Sequence, residues 1–441
     1  MIRAISLLIL LFATAAAAAW FADHPGDIAV NWNGWQIETS LSVAGLALVA
    51  LVVAVALCYR FWLWLVRGPA ALADSRNRAR ERRGYDALTR GLVAVAAGDA
   101  GEARKLARQA EALLESPPLT QLLSAQAAQL DGDEVAAVRY FDAMLERPQT
   151  EFLALRGLLS QAMRNGQTDK ALDYASRAHR ARPDAAWASD ALFLLQARVG
   201  QWSQAQVTLD DATKRKSIDL ETSRRRKAIT LHAQAMQAEA TGDRRKAQKL
   251  ADQAQSFAPG LVQVAADAAR LQAAAGKARR AADIVEACWR QRPHPLLADI
   301  YATIWPGDDL ARRLNKAHRL DAANPGHEES RIYLAGLLIE ALRFEDARAQ
   351  LAPLIDAAAS RRVCRLMAAL EEGEAGQGAA ARDWLLRLAE AAPDPAWVCT
   401  DCGEIHPAWQ AHCTSCAALD TLDWRQADFR NLVRRANDAT T

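Results

Sequence analysis

The sequence is poor in the residues that characterise β-rich, disordered and strongly charged proteins. Aromatic residues make up only 6% of the 441 positions and β-branched runs are scarce, which disfavours a protein built from β-sheets. With 22 glycines and 15 prolines against 51% hydrophobic residues, the chain is neither collagen-like nor mostly disordered. A formal net charge of +2 is low for a protein that binds nucleic acid over its whole length. Alanine, leucine and alternating charges instead favour an all-α protein.

Two long apolar stretches near the N-terminus predict membrane helices. Residues 4–22 contain no charged residue, and residues 40–66 contain only Arg60. Crossing a hydrocarbon core of about 30 Å takes about 20 helical residues. We therefore predict a membrane hairpin over residues 1–66, with helices at about 4–22 and 40–66 and a short loop at 23–39. A cleavable signal peptide is the alternative interpretation of the first stretch.

The positions of lysine and arginine predict the orientation of this hairpin. The loop at 23–39 has neither residue, whereas the linker at 67–83 is rich in arginine. Basic flanks are retained in the cytoplasm. We therefore predict two passes, with the N-terminus and everything after residue 67 cytoplasmic and the loop on the other side. Within the loop, Asn33-Gly34 between alternating apolar residues predicts a β-hairpin.

Segments with a shared pattern recur through the middle of the chain. Each has a turn residue, usually glycine, and an alanine five positions later. The spacings between these alanines are 34, 34, 34, 42, 34, 66 and 34 residues, and the longest gap contains an atypical unit from Pro306. A 34-residue period of this kind resembles tetratricopeptide repeats. The sequence predicts an α-solenoid of about nine helical hairpins over residues 84–393, with a groove that binds proteins. The alanines are Ala103, Ala137, Ala171, Ala205, Ala247, Ala281, Ala347 and Ala381.

The single 42-residue spacing coincides with a basic segment. It carries eight extra residues between the fourth and fifth units. Two hypotheses account for it: solvated helix ends, or a contact with an anionic partner such as a lipid headgroup, an acidic protein or a porphyrin propionate. The basic residues are Lys214, Arg215, Lys216, Arg224, Arg225, Arg226 and Lys227.

Four of the seven cysteines lie close together near the C-terminus. Cys399-x2-Cys402 and Cys413-x2-Cys416 are two C-x-x-C pairs, a spacing typical of tetrahedral zinc sites. The predicted cytoplasmic location disfavours disulfides. We predict a small zinc ribbon at 394–424, followed by a tail at 425–441. Four thiolates leave no open coordination position, so the metal would be structural. Iron is the alternative metal, since a tetrahedral S₄ site suits either.

Motifs of the common enzyme classes are missing. The sequence contains no P-loop, no dinucleotide-binding glycine loop, no zinc-protease helix and no nucleophile elbow. The ribbon segment contains no lysine and several acidic residues, which argues against nucleic acid as its partner. No Cys-Pro dipeptide or pair of histidines marks a haem ligand, so direct binding of haem or porphyrin stays unassigned. These observations favour a protein without an active site.

The order of segments resembles the HemY family of bacterial inner-membrane proteins. The resemblance rests on PGDIAVNWNGWQIETSLSVAGLALV (residues 25–49), on the arginine-rich linker and on the repeats. The segment WVCTDCGEIHPAWQAHCTSCAALDTLDW (residues 397–424) looks like the zinc ribbon of alphaproteobacterial members. The resemblance implies a bacterial inner-membrane location with a periplasmic loop. It also implies a role in a late step of haem biosynthesis without a catalytic activity of its own. The leading hypothesis is therefore a membrane-anchored scaffold that gathers late haem-biosynthesis enzymes, or hands over porphyrin, at the cytoplasmic face.

The sequence is also compatible with two other functions. Adaptors that regulate lipopolysaccharide assembly also combine a membrane anchor, a similar repeat array and a rubredoxin-type metal site. They usually carry one membrane helix, whereas two are predicted here. A metal-dependent redox protein is the third hypothesis, and it requires iron or an open metal position.

Overall fold

The computed structural model describes most of the chain beyond the first predicted membrane helix. The described residues are 27–32, 35–114, 117–355, 359–376 and 378–426, together with the single residues 12 and 16. The helix predicted at 4–22 and nearly all of the tail predicted at 425–441 therefore lie outside them. The chain divides into two compact units, residues 1–143 and residues 144–441.

The loop predicted between the two membrane helices contains a β-hairpin. Strand β1 (Asp27–Trp32) pairs antiparallel with strand β2 (Trp35–Ser40). Asp27 faces Ser40 at one end of this ladder, and Trp32 faces Trp35 at the other. The register is the one that a two-residue Asn-Gly connection favours, so the hairpin prediction is confirmed.

One long helix, α1 (Leu41–Ala97), follows directly after this hairpin. Its window Gly45–Trp62 has a mean hydropathy of 2.1, and none of it is buried. This is the one candidate membrane span among the described residues. The sequence predicted a helix that ends at residue 66, whereas α1 continues to Ala97. The extension is rich in alanine, arginine and leucine, which are strong helix formers, and it continues through Gly68-Pro69.

The C-terminal end of α1 packs against the next two helices, α2 (Ala100–Leu113) and α3 (Pro117–Leu130). Helix α4 (Glu134–Leu145) follows them in the chain. A Cβ atom added at Gly84 or Gly91 would lie 2.6 Å from a leucine side chain of this packing. Because the two glycines permit this close approach, the end of α1 serves as the first helix of the first repeat.

The second unit is also built from helix pairs. A short 3₁₀ turn, Ala352–Leu354, extends its helix α16. The helices are α5 (Pro148–Arg164), α6 (Thr168–Ala181), α7 (Ala186–Arg198), α8 (Trp202–Lys214), α9 (Leu220–Ala240), α10 (Arg244–Phe257), α11 (Val262–Ala274), α12 (Ala278–Trp289), α13 (Pro295–Thr303), α14 (Leu310–Ala323), α15 (Glu328–Glu340), α16 (Phe344–Leu351), α17 (Arg361–Ala375) and α18 (Ala379–Glu390).

The repeat alanines lie where the sequence pattern predicts them. All eight are on the second helix of a pair; seven are completely buried and Ala381 is 6% exposed. A methyl group at this position lets the two helices of a pair approach closely. The atypical unit from Pro306 contains α14, which follows α13 and completes a pair with it. The described helices thus form nine successive pairs from the end of α1 to α18, which confirms the predicted tetratricopeptide-like fold.

The turn between the helices of a pair needs a left-handed residue. At seven of the eight repeat turns this residue is a glycine with φ between 65° and 83°. The exception is Leu342, which has φ 57° and whose side chain is 72% exposed. A leucine in this conformation is strained and its side chain gains little packing. The glycines are Gly98, Gly132, Gly166, Gly200, Gly242, Gly276 and Gly376.

We predict that Leu342→Gly stabilises the second unit. Left-handed backbone costs a non-glycine residue about 1–2 kcal/mol, and the extra freedom of an unfolded glycine offsets about 0.5–1 kcal/mol of this. The expected net gain in unfolding free energy is about 0.5–1 kcal/mol, measured by guanidinium unfolding of helical circular dichroism. Leu342→Ala is the control, since it removes the exposed side chain but keeps the strain. Equal stability of the glycine and alanine variants would contradict this explanation.

The eight extra residues of the basic segment lengthen one helix. Helix α9 has 21 residues, whereas the corresponding helices α7 and α11 have 13. A left-handed turn at Lys216, with φ 58°, separates α9 from the end of α8. The insertion therefore adds two helical turns that extend α9 at its N-terminal end.

A small three-stranded sheet follows α18. Strand β3 (Ala396–Cys399) is central, with β4 (Ile405–His406) on one side and β5 (Leu422–Arg425) on the other, both antiparallel. The sheet places Cys399 opposite Leu422 at the end of β3. We call residues 394–426 the ribbon.

Candidate metal centre

The two C-x-x-C pairs of the ribbon form loops with the same hydrogen-bond pattern. In the first, the backbone N–H of Cys399 donates to the carbonyl of Glu404, and Gly403 N–H donates back to the Cys399 carbonyl. Cys413 repeats both bonds with the residues five and four positions after it. The fourth residue after the first cysteine is left-handed in each loop, with φ 77° at Gly403 and φ 59° at Ala417. The spacing of the cysteines thus yields two equivalent turns that present sulfur atoms inward.

The four sulfur atoms come together at the mouth of these loops. All four Sγ atoms lie within 4.8 Å of one another. The distance from Cys399 to Cys416 is 3.7 Å and that from Cys402 to Cys413 is 3.5 Å. A tetrahedral zinc ion with Zn–S bonds of about 2.3 Å places its sulfurs about 3.8 Å apart. The donor set therefore suits a tetrahedral thiophilic metal.

The thiols of Cys399 and Cys416 differ in pKa. Burial raises the pKa of Cys399, but hydrogen bonds from Thr421 and from backbone N–H groups outweigh it and bring that pKa down to about 6. Burial and the neighbouring sulfurs raise the pKa of Cys416 to about 12. A divalent cation favours the thiolate form of every ligand. A divalent cation bound by the four sulfurs would therefore favour their thiolate forms.

The ribbon packs against the first helices of several repeats. Its core residues Trp397, Trp409 and Leu422 belong to the same buried cluster as residues of α9, α11 and α13. Leu419 packs against the cluster formed by α7 and α8. The side of the array that the ribbon covers is defined by α7, α9 and α13, and we call it the docking face.

Three histidines make four contacts with tryptophans at this interface. The ring of His232 in α9 lies 5.8 Å from Trp409, edge to face. His294, at the start of α13, lies 5.2 Å from Trp397 and 4.4 Å from Trp424. His412 of the ribbon lies against Trp202 of α8 at 5.5 Å.

The buried histidines at the docking face are uncharged or paired. Burial lowers the pKa of His294 to about 4, and its Nδ1 accepts the backbone N–H of Leu296. Nε2 of His232 lies 2.9 Å from Asp267. Burial raises the pKa of Asp267, but hydrogen bonds from His232 and Gln263 outweigh it and leave that pKa below its usual value.

Four residues of the basic segment have carboxylate partners inside the chain. Arg225 donates two hydrogen bonds to Asp420 of the ribbon, of which the one from Nη2 is 2.9 Å long. The remaining three pairs join Arg215 to Asp211, Arg226 to Asp190 and Lys227 to Asp210. The other three basic residues, Lys214, Lys216 and Arg224, are exposed. The hypothesis of an external anionic contact therefore applies to these three.

The other cysteines lie apart from the centre. Cys288 and Cys364 are buried within helices, and Cys58 is exposed on α1. Sequence spacing alone did not identify His406 as a neighbour of the sulfurs. Its Nε2 lies 3.3 Å from Sγ of Cys413, because β4 pairs His406 with Trp397 at the centre of the sheet.

Comparison with known proteins gives matches over the N-terminal region and over the whole chain. The family model described as HemY protein N-terminus matches residues 26–132. The probable magnetosome protein Mms48 of Magnetospirillum gryphiswaldense is 28% identical over 430 residues, which cover 97% of this chain and 94% of that protein. Protein HemY of Escherichia coli strain K12 is 29% identical over 148 residues, which cover 33% of this chain and only 37% of that protein.

Solved structures resemble the chain only loosely. A tetratricopeptide repeat protein from Parabacteroides merdae aligns with a TM-score of 0.31 and 16% identity, over 58% of this chain and 99% of that one. The assignment of the repeats therefore rests on the helices described above. The N-terminal region thus matches the HemY family, and nearly the whole chain is similar to Mms48.

Proposed function

We propose that this chain is a membrane-anchored adaptor that gathers protein partners at the cytoplasmic face of a bacterial inner membrane. The observation that carries the proposal is the continuity of α1. This one helix contains the exposed apolar span Gly45–Trp62 and, at its other end, the first helix of the repeat array. A partner bound by the repeats is thereby confined to the membrane surface, which raises its effective concentration there. The chain itself contributes no chemistry in this proposal.

The proposed topology is two-pass, with the β1–β2 hairpin in the periplasm. The hairpin lies directly before the apolar span, and the arginines at 76–83 lie beyond it. This charge distribution supports a cytoplasmic repeat array. Reporter fusions after Ser40 and after Ala97 test the orientation: the first is expected to be active only as a periplasmic reporter and the second only as a cytoplasmic one.

We further propose that the partners are late haem-biosynthesis enzymes and that the metal of the ribbon is structural zinc. The match of residues 26–132 to the HemY N-terminal family model supports the first part, and the closed set of four sulfurs supports the second. The test is proximity labelling from the full chain in its native membrane, combined with porphyrin measurements after depletion. Labelled haem enzymes and accumulated porphyrins are expected. Recovery of none of these enzymes with unchanged porphyrin levels would contradict the proposal.

The similarity to Mms48 favours a second candidate function. It extends over 97% of the chain, whereas the similarity to HemY covers a third of it. The second candidate is an adaptor that acts in magnetosomes, as the name of Mms48 indicates for that protein. In a magnetosome-forming host, depletion would then alter the mineral or its membrane while porphyrins stay normal.

The adaptor of lipopolysaccharide regulation is tested in the same depletion experiment. Altered lipopolysaccharide with normal porphyrins would favour that function. Metal analysis of the purified chain tests the redox alternative, since a colourless protein with one zinc ion would exclude an iron centre.

A further inference from the structure

Two side chains outside the four cysteines direct hydrogen-bond donors at sulfur atoms of the metal centre. Nε2 of His406 lies 3.3 Å from Sγ of Cys413, and the hydroxyl of Thr421 lies 3.2 Å from Sγ of Cys399. Each receiving sulfur belongs to the first cysteine of its loop, and both of these cysteines are buried. The second cysteine of each loop is more exposed. The side-chain donors thus lie next to the sulfurs of the two buried cysteines, Cys399 and Cys413.

The second neighbour of His406 fixes which of its nitrogens carries the proton. The side-chain nitrogen of Gln410 lies 2.9 Å from Nδ1. An amide N–H only donates, so Nδ1 accepts and the proton of the neutral ring is on Nε2. The ring is 4% exposed, and β4 holds its backbone. His406 therefore donates an N–H to the sulfur and does not replace a cysteine as ligand.

We propose that His406 and Thr421 set the metal affinity of the ribbon by each donating a hydrogen bond to one buried thiolate. Four thiolates around a divalent cation leave a net charge of −2, and burying such a charge is unfavourable unless donors surround it. Hydrogen bonds to ionised acceptors are stronger than those between neutral groups. Residues that orient and neutralise metal ligands typically change affinity by about 10–100-fold. The proposal does not depend on the adaptor function.

The test uses the full chain in detergent and measures zinc(II) affinity by competition with a chelator. His406→Phe keeps a planar ring but removes the N–H, and we expect zinc affinity to fall by about 10–100-fold. In the cobalt(II) form, the sulfur-to-metal charge-transfer band is expected to shift, because one sulfur has lost its donor. His406→Gln supplies an amide N–H in nearly the same place and is expected to restore most of the affinity and the band position.

Threonine variants test the same proposal independently and include a matched control. Thr421→Val removes the hydroxyl with little change of shape and is expected to weaken zinc binding. Thr400→Val is the control, since Thr400 is next to Cys399 but its hydroxyl donates to Asp401 at 3.4 Å. Equal affinity and equal spectra for wild type, His406→Phe and Thr421→Val would overturn the proposal. If the ribbon of His406→Phe does not fold even with metal, the comparison of zinc affinity between Thr421→Val and Thr400→Val tests the proposal.

Discussion

Replacing Cys399 by serine in the full chain is expected to unfold the ribbon and uncover the docking face. The ribbon has three short strands, and metal binding in small domains of this kind supplies about 10–16 kcal/mol of folding free energy at neutral pH. Without a complete ligand set, little holds the two loops together. We expect amide hydrogen exchange in residues 394–426 to rise to the rate of an unfolded segment.

The same substitution is also expected to destabilise the neighbouring helices. Ribbon residues share one buried cluster with α9, α11 and α13, so their loss exposes apolar surface on those helices. The control is Cys58→Ser, at an exposed cysteine of the first unit. Stripping the metal from wild type should reproduce the effect. Protected ribbon amides in metal-free protein would show instead that packing against the helices is sufficient to fold it.

Reversing the charge of Arg225 is expected to undock a ribbon that is still folded. Arg225 makes a two-bond contact with Asp420, whose side chain is only 13% exposed, while the arginine side chain is 40% exposed. Hydrogen bonds to a charged partner contribute about 1.5–3 kcal/mol, and solvent around the arginine reduces this, so Arg225→Glu should cost about 2 kcal/mol. That corresponds to about a 30-fold loss in the docking equilibrium.

Neighbouring residues provide the control and the rescue for this variant. Arg224→Glu makes the same charge change one residue earlier, at an exposed position, and is expected to leave docking intact. Adding Asp420→Arg to Arg225→Glu restores opposite charges and should recover most of the docking. The fraction docked is measured by tryptophan fluorescence, because Trp409 contacts His232 only in the docked state. Equal docking in the Arg224 and Arg225 variants would show that total charge, rather than this contact, holds the ribbon.

The repeat array and the cysteine cluster were predictable because their signals are local. A 34-residue period, a glycine at each turn and an alanine five residues later reflect packing within one helix pair. The four cysteines lie within eighteen residues, so their spacing alone describes the donor set. Leu342 shows the limit of such a pattern, since its backbone conformation follows the other turns although its residue type does not.

The position of the ribbon on the helices was not predictable from these patterns. Arg225 and Asp420 are 195 residues apart, and no periodicity connects them. A weak signal was available in the charges: the ribbon segment 394–424 has acidic residues but no lysine or arginine, and the insertion is strongly basic. The sequence suggested an anionic partner for this insertion, and one such partner is a carboxylate of the same chain.

The sulfur contact of His406 was missed for a different reason. It depends on the register of a two-residue strand, which spacing between cysteines does not reveal. Four cysteines already complete a tetrahedral set of ligands, so the sequence pattern does not indicate a role for a histidine. Its role becomes visible only when the distance to Cys413 and the hydrogen bond from Gln410 are both known.

The docked ribbon also means that the chain carries its own competitor for the docking face. Tethered through the short connection 391–393, the ribbon faces α7, α9 and α13 at a high effective concentration. An external protein that needs the same residues binds only the undocked fraction, so its apparent dissociation constant rises in inverse proportion to that fraction. Loss of metal would raise the undocked fraction and tighten binding without changing any residue of the face. For any partner that binds these residues, apparent affinity would then depend on metal supply.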